Sequence, residues 1–155
     1  MAITGEVRRA RAGDEAALVE LRAEMFRAME IPVDDDVWRT NAHAWFEQRL
    51  AGPDHGIFVV AEDGRVVACA MGMVRDAAPS PTSPGGGDVL ISNVCTAPDR
   101  RRLGYARAAF EAVLEWAREQ GAGRAELMAT EAGRPMYECA GFSARTAPLM
   151  RARLR

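Results

Sequence analysis

Apolar residues recur at helical spacing in the first third of the chain. Four of them lie three or four positions apart: Leu18, Leu21, Met25 and Met29. With Asp14 as a candidate N-cap, this pattern predicts a first helix over 15–29, after a short strand over 6–11. A second helix carries the next apolar set, which is Val37, Trp38, Trp45, Phe46 and Leu50. The acidic run 34–36 before it is suited to cap its first turn.

The pattern changes to that of strands in the middle of the chain. Two compact apolar runs, 57–61 and 66–74, flank a tight turn at 62–65 and predict a β-hairpin. A loop rich in proline, glycine and serine follows over 78–87, and 88–96 is the next strand candidate.

Helical spacing returns in the last third. One face of a helix over 103–120 carries Leu103, Ala106, Phe110, Val113 and Ala117. A strand over 125–129, a short helix over 135–140 and a last strand over 149–154 complete the pattern. The order of elements predicts an α/β fold in a single domain spanning 1–155, with one central sheet.

Composition narrows the class of protein. A chain of 155 residues with 48% hydrophobic and 27% charged residues is typical of one globular domain. The formal net charge of −2 argues against a protein that binds nucleic acid or an anionic membrane surface. No apolar run is long enough to span a membrane, and the first residues lack the pattern of a signal peptide.

The cysteines give no sign of a metal site. Cys69, Cys95 and Cys139 are an odd set without CxxC spacing, and all three have apolar neighbours in sequence. We therefore expect reduced core thiols in a cytoplasmic protein, with no disulfide framework and no metal.

The strongest chemical signal lies between the strand over 88–96 and the helix over 103–120. The segment Arg101-Arg102-Leu103-Gly104-Tyr105-Ala106 delivers the chain to the start of the helix, and Arg107 follows it. The first N–H groups of a helix lack intrahelical partners and carry partial positive charge, so they bind anions well. Gly104 and Ala106 leave room for phosphates to approach those groups.

These residues resemble the GNAT superfamily of acetyltransferases, whose signature at this junction is Gln/Arg-x-x-Gly-x-Gly/Ala. The resemblance covers nearly the whole chain: 8–14 matches the family's opening strand and helix cap, 93–98 its fourth strand, and 130–142 its tyrosine-containing C-terminal motif. It implies a mixed, mostly antiparallel sheet of six to seven strands, flanked by about four helices and splayed between strands 4 and 5.

The resemblance also implies how acetyl-CoA is bound. Val94, Cys95 and Thr96 would line the gap beside strand 4 and pair with the pantetheine arm through their backbone. The residues that would surround the pyrophosphate are Arg101, Arg102, Leu103, Gly104, Tyr105, Ala106 and Arg107. Thr130 stands where the family usually has Asn and Gly133 where it has Ala, so a cofactor hydrogen bond near Thr130 is expected to be weaker.

Tyr137 matches the family residue that protonates the departing CoA thiolate, a role that suits a neutral hydroxyl. The general base stays open. Asp88 and Glu126 are weak candidates, and a solvated or capping carboxylate is the simpler interpretation of each. Cys95 has no neighbouring histidine, which favours a packed strand thiol over a nucleophile.

The expected activity is transfer of an acetyl group from acetyl-CoA to a primary amine of a small molecule, peptide or protein, by direct attack in a ternary complex. The alternative is a non-catalytic acyl-CoA-binding or sensing module. A toxin that acylates charged tRNA would need a basic face, which the net charge disfavours. A homodimer is plausible for the fold, and the sequence does not identify the acceptor.

Overall fold

The computed structural model describes residues 3–155, so Met1 and Ala2 of the predicted domain lie outside the described residues. A five-stranded sheet forms its centre, with the strands in chain order across the sheet. The strands are β1 Glu6–Arg9, β2 His55–Glu62, β3 Arg65–Arg75, β4 Asp88–Thr96 and β5 Ala125–Leu127. The first four pair antiparallel and β4 pairs with β5 in parallel, which confirms a mixed, mostly antiparallel sheet.

The expected six to seven strands are wrong, because the sheet has five. The predicted last strand over 149–154 forms no regular structure. Its apolar residues Leu149, Met150 and Leu154 are 67% to 94% exposed. An alternating pattern becomes a strand only where a sheet edge offers backbone partners, and this segment pairs with none of the described strands.

Four helices flank the sheet, as predicted. They are α1 Glu15–Ala28, α2 Asp36–Arg49, α3 Tyr105–Glu119 and α4 Arg134–Cys139. The Asp35 carboxylate accepts a hydrogen bond from the Val37 N–H at 2.8 Å, so the acidic run caps α2 as expected. The Asp14 carboxylate instead accepts the Arg11 N–H at 2.8 Å and pairs with Arg8, without capping α1 by its side chain.

The helices bury two apolar clusters, one on each face of the sheet. The cluster under α1 and α2 includes Leu18, Leu21, Phe46, Cys69 and Cys95. The cluster under α3 and α4 includes Val89, Ile91, Phe110, Trp116 and Tyr137. The Trp116 indole lies flat against the sheet at Gly56 and Gly72, where an added Cβ would come within 2.2 Å and 2.8 Å of its ring. This close approach fixes the position of α3 on β2 and β3.

Strand β4 is irregular at its centre and unpaired along half of its outer edge. Between Cys69 and Met71 on β3 stands one residue, but the matching stretch of β4 holds two, Asn93 and Val94. Asn93 takes a left-handed backbone with φ of 55°, which forms a bulge. Pairing with β5 covers only Val89 to Ile91, so β4 continues over 92–96 without a partner on that side. Pairing between strands 4 and 5 thus ends after Ile91, in the part of the sheet where the splay is expected.

Candidate active site

The loop before α3 has a backbone suited to bind an anion. A short 3₁₀ turn over Pro98–Arg100 leads into Arg102 and Gly104, both left-handed with φ of 64° and 88°. Ala108 makes the first helical bond, from its N–H to the Gly104 carbonyl at 3.1 Å. Within residues 3–155, the N–H groups of 101–107 have no acceptor. A run of unpaired N–H groups at a helix start attracts negative charge.

Tyr105 anchors this loop from inside the protein. Its side chain is buried in the α3 cluster, and its hydroxyl donates to the Glu62 carboxylate and lies 3.1 Å from the Thr4 hydroxyl. Arg100 Nε donates to the same carboxylate at 2.6 Å. The Arg100 hydrogen bond, followed by those of Thr4 and Tyr105, lowers the pKa of Glu62 to about 2. Tyr105, a predicted cofactor-binding residue, can therefore offer a ligand only its backbone N–H, because its side chain is engaged inside the protein.

The exposed side chains of the loop supply positive charge. Arg101 and Arg102 are exposed, and neither has a carboxylate within 4.0 Å in the described part of the chain. Arg107 pairs with Glu111 at 3.0 Å on the exposed face of α3. Leu103 is 51% exposed, and Ala106 is half-buried. The structure thus brings together the predicted phosphate-binding residues, with two guanidinium groups free to reach a ligand.

The three predicted gap residues lie at the β4 bulge, but their side chains differ in direction. Val94 packs against the α3 cluster, whereas Cys95 faces α1 and α2 and lies 3.3 Å from the Cys69 sulfur. The hydrogen bond with Cys69, together with burial, raises the pKa of the Cys95 thiol well above its ordinary value. A buried neutral thiol is a poor nucleophile, which argues against a covalent role for Cys95. Cys95 and half-buried Thr96 can still offer their backbone groups to a ligand.

Cys139 departs from the prediction of three core thiols. It is exposed at the end of α4, while Cys69 and Cys95 are buried. A helix of only six residues turns part of its surface to solvent, and Cys139 lies on that part.

Tyr137 combines a packed ring with an open hydroxyl. The residue is 8% exposed, and its ring contacts Phe110 with centroids 5.2 Å apart. The hydroxyl has no hydrogen-bond partner among residues 3–155, yet it is not sealed from solvent. Burial, followed by proximity to Cys95, raises the pKa of Tyr137. The hydroxyl is therefore protonated at neutral pH and free to donate to a ligand.

Thr130 lies at the start of the segment that leads to α4. Its hydroxyl accepts a hydrogen bond from the Gly133 N–H at 3.2 Å, which orders the turn before Tyr137. The side chain is exposed, and its predicted contact with the cofactor stays a prediction.

The two carboxylates considered as a general base lie at the other end of β4 from the bulge. Asp88 is buried and accepts two hydrogen bonds of 2.6 Å from Arg75 and one of 3.2 Å from Arg124. The Arg75 hydrogen bonds lower the pKa of Asp88. Glu126 is exposed and bonds to Arg75 at 2.8 Å. These contacts favour a structural role for Asp88 and Glu126, because an ion-paired carboxylate is a weak base.

Arg22 of α1 is a residue at the site that the sequence did not reveal. Its Nη1 donates to the side-chain oxygen of Asn93, at the β4 bulge, at 2.9 Å. The contact joins positions 71 residues apart, and only the assembled sheet and helix bring them together. The only hint in the sequence was that Arg22 lies next to the apolar residue Leu21, which belongs to the buried side of α1.

Residues 3–155 contain neither a cluster of metal-binding side chains nor a membrane-spanning helix. No cluster of three or more histidine, cysteine, aspartate or glutamate side chains is arranged to hold a metal ion. None of the helices in this part of the chain has the length and apolar character that a membrane span requires.

Several solved structures share the whole fold. A GCN5-related N-acetyltransferase from Ralstonia eutropha JMP134 matches with a TM-score of 0.80 and 26% identity, over 96% of this chain and 98% of its own. A predicted acetyltransferase from Clostridium acetobutylicum, solved with acetyl-CoA, matches with a TM-score of 0.85 and 24% identity over 96% of both chains. Glucosamine-6-phosphate N-acetyltransferase from Arabidopsis thaliana matches with a TM-score of 0.76 and 18% identity, over 97% of this chain and 99% of its own.

The sequence comparison agrees with the structural one. None of the curated proteins matches the chain significantly. The model of the acetyltransferase (GNAT) family, however, matches residues 16–142, which include the loop over 101–107, the bulged strand and Tyr137. This chain therefore belongs to the GNAT family of acetyltransferases.

Proposed function

We propose that this protein transfers an acetyl group from acetyl-CoA to a primary amine of a small molecule, peptide or protein. The observation that carries the proposal is the loop over 101–107, with unpaired N–H groups and two free arginines. The loop follows β4, whose residues 92–96 lack a partner strand on the side of β5, and Val94 of that stretch packs against the cluster that contains Tyr137. The relative from Clostridium acetobutylicum that was solved with acetyl-CoA supports the same donor.

The residues present fit this donor. Its pyrophosphate would be held by the N–H groups of 101–107, with Arg101 and Arg102 adding charge. Its pantetheine arm would lie along the unpaired backbone of β4, at 94–96. Acetyl-CoA supplies an activated acyl group as a thioester, so the amine nitrogen can attack it directly without a covalent enzyme intermediate.

Two groups of the chain would assist that attack. A backbone N–H at the bulge, of Val94 or Cys95, would donate to the thioester oxygen as negative charge develops there. The Tyr137 hydroxyl would give its proton to the sulfur as the carbon–sulfur bond breaks, and the attacking amine would release a proton to solvent. The raised pKa of Tyr137 keeps this proton in place until charge forms on the sulfur.

The second candidate is an acyl-CoA sensor without chemistry. It is favoured by one observation, namely that Asp88 is buried in an ion-paired cluster and unsuited to act as a base. Acetyl transfer does not require Asp88 as a base if the amine arrives unprotonated or if a base acts through water.

Calorimetry with acetyl-CoA and an assay of CoA release against a panel of amines separate the candidates. Binding together with release on at least one amine is the expected result. Binding without release on any amine, peptide or amino acid favours the sensor. An absence of acetyl-CoA binding contradicts both candidates.

A further inference from the structure

Arg22 is held at the β4 bulge by a network of buried groups. The Asn93 side chain accepts from Arg22 Nη1 at 2.9 Å, while its amide nitrogen lies 3.5 Å from the Cys69 sulfur as a donor. Asn93 itself is buried. The Arg22 guanidinium also lies 4.9 Å from the centroid of the Phe26 ring. These contacts fix the orientation of the guanidinium before any ligand arrives.

The charge of Arg22 has no counterion in the described residues. Two other half-buried arginines, Arg8 and Arg75, form ion pairs with aspartates at 2.7 Å and 2.6 Å. No aspartate or glutamate lies within 4.0 Å of Arg22 in the part of the chain that the structure describes. Burial lowers the pKa of Arg22. A partly buried cation without a carboxylate is costly, and proteins retain such groups where a ligand supplies the negative charge.

Most of the hydrogen-bonding capacity of Arg22 is unused. A guanidinium carries five N–H donors, and only the bond to Asn93 is present among residues 3–155. The remaining guanidinium nitrogens are not sealed inside the protein, because none of them is a buried unpaired atom. The free donors are therefore accessible to solvent in the space beside the bulge.

The surroundings of Arg22 place this space on the side of the sheet opposite α3. Cys69 and Cys95 belong to the cluster under α1 and α2, and Phe26 contacts Trp38 of α2 edge-on at 5.9 Å. The anion-binding loop and Tyr137 approach from the α3 face. An acceptor entering by α1 and α2 would meet Arg22 next to the bulge, where the proposed acyl transfer takes place.

We propose that Arg22 binds an anionic group of the acceptor, so that the acceptor is an amine bearing a carboxylate or a phosphate. The inference rests on the proposed function and adds the substrate class. The planar guanidinium matches both anions, since each can accept two parallel N–H bonds from it.

The test compares matched pairs of acceptors that differ only in the anionic group. One arm uses amino acids against their carboxamides, and the other uses amino sugars with and without a phosphate. CoA release is measured for the wild type, for Arg22→Gln, which keeps a donor for Asn93, and for Arg49→Gln. Arg49 is a matched control because it is half-buried without an ion pair, 4.4 Å from the Trp45 ring on α2.

The wild type is expected to prefer the anionic member of a pair, and the arm in which it does so identifies the anion. Loss of a charged hydrogen-bond pair should raise the KM of Arg22→Gln for that acceptor by about 10- to 100-fold. Its kcat, its KM for acetyl-CoA and its activity on the neutral member should stay close to those of the wild type. Arg49→Gln should behave as the wild type with both members.

Three results would overturn the proposal. Release with neutral amines alone would overturn the substrate class while the acetyltransferase function stands. An equal loss by Arg22→Gln on both members of each pair would assign Arg22 to the support of the bulge. Release with no acceptor of either arm or of the wider amine panel would overturn the proposed function, and this inference with it.

Discussion

Replacing Gly104 by alanine is expected to weaken acetyl-CoA binding as well as to destabilise the fold. Gly104 precedes α3 with φ of 88°, in the middle of the unpaired N–H run. The described part of the chain, residues 3–155, has room for the methyl group, because beyond the neighbouring residues an added Cβ would meet only the Ile3 side chain there, at an ordinary 3.6 Å. The substitution therefore acts through backbone conformation and through the space in front of the N–H groups.

The cost to stability can be worked out from the backbone alone. A left-handed conformation costs an L-residue about 1–2 kcal/mol relative to glycine. For a chain of this length each 1 kcal/mol lowers the melting temperature by about 2–4 °C. The methyl group would also hold a phosphate away from the N–H groups, so the Kd for acetyl-CoA should rise at least about tenfold, which corresponds to about 1.4 kcal/mol.

Gly121→Ala is the matched control at the other end of the same helix. Gly121 has φ of 77°, and among residues 3–155 no atom beyond its two chain neighbours lies within 4 Å of an added Cβ. The two variants should therefore lose similar stability in thermal unfolding without ligand. Only Gly104→Ala should lose affinity in calorimetry with acetyl-CoA. Unchanged affinity of Gly104→Ala, or an equal loss in Gly121→Ala, would refute the assignment of the loop as the phosphate site.

Three other substitutions test separate parts of the structure. Tyr137→Phe keeps the packed ring and removes a hydroxyl without a protein partner, so steady-state assays should show turnover lowered about 100-fold or more with unchanged acetyl-CoA affinity. Unaltered turnover would exclude Tyr137 from proton transfer. Phe110→Ala empties a fully buried site against Tyr137 and should cost about 3–5 kcal/mol in urea unfolding, whereas a loss below about 1 kcal/mol would contradict that packing. Because hydrogen bonds from Arg100 and its neighbours lower the pKa of Glu62 from 4.5 to about 2, its carboxylate stabilises the fold above pH 4.5 and less so as the pH falls towards 2. The stability difference between wild type and Glu62→Gln should shrink over that window, and a constant difference would argue against the ion pair.

The sequence predicted well those helices and strands that depend on residues near one another in the chain. The strand over 88–96 and the order of the helices follow from hydrophobic spacing and from glycine and proline at the breaks. The prediction of the buried face of α3 was wrong at the start of the helix, since Leu103 is exposed while Tyr105 is buried. The helix begins only at Tyr105, so helical spacing does not apply to Leu103 in the left-handed loop before it.

The features that the sequence did not predict depend on contacts between residues far apart in the chain. The segment 149–154 alternates arginine with apolar residues, as a strand does, but no sheet edge receives it. The contact of Arg22 with Asn93 depends on the bulge in β4 and on the packing of α1 against that strand. The sequence motif around Tyr105 predicts which backbone N–H groups bind phosphate, but not where the Tyr105 side chain lies. In the structure this side chain anchors the loop through Glu62.

The early end of pairing between β4 and β5 also bears on how the protein avoids self-association. Residues 92–96 present an unpaired strand edge, and such edges can recruit strands of other molecules and lead to aggregation. The Asn93 bulge interrupts that edge, and Tyr137 and Val94 pack into one cluster beside it. These features hinder a flat neighbouring strand from pairing along the edge. If acetyl-CoA binds along this edge as proposed, adding it should slow amide hydrogen exchange at 92–96.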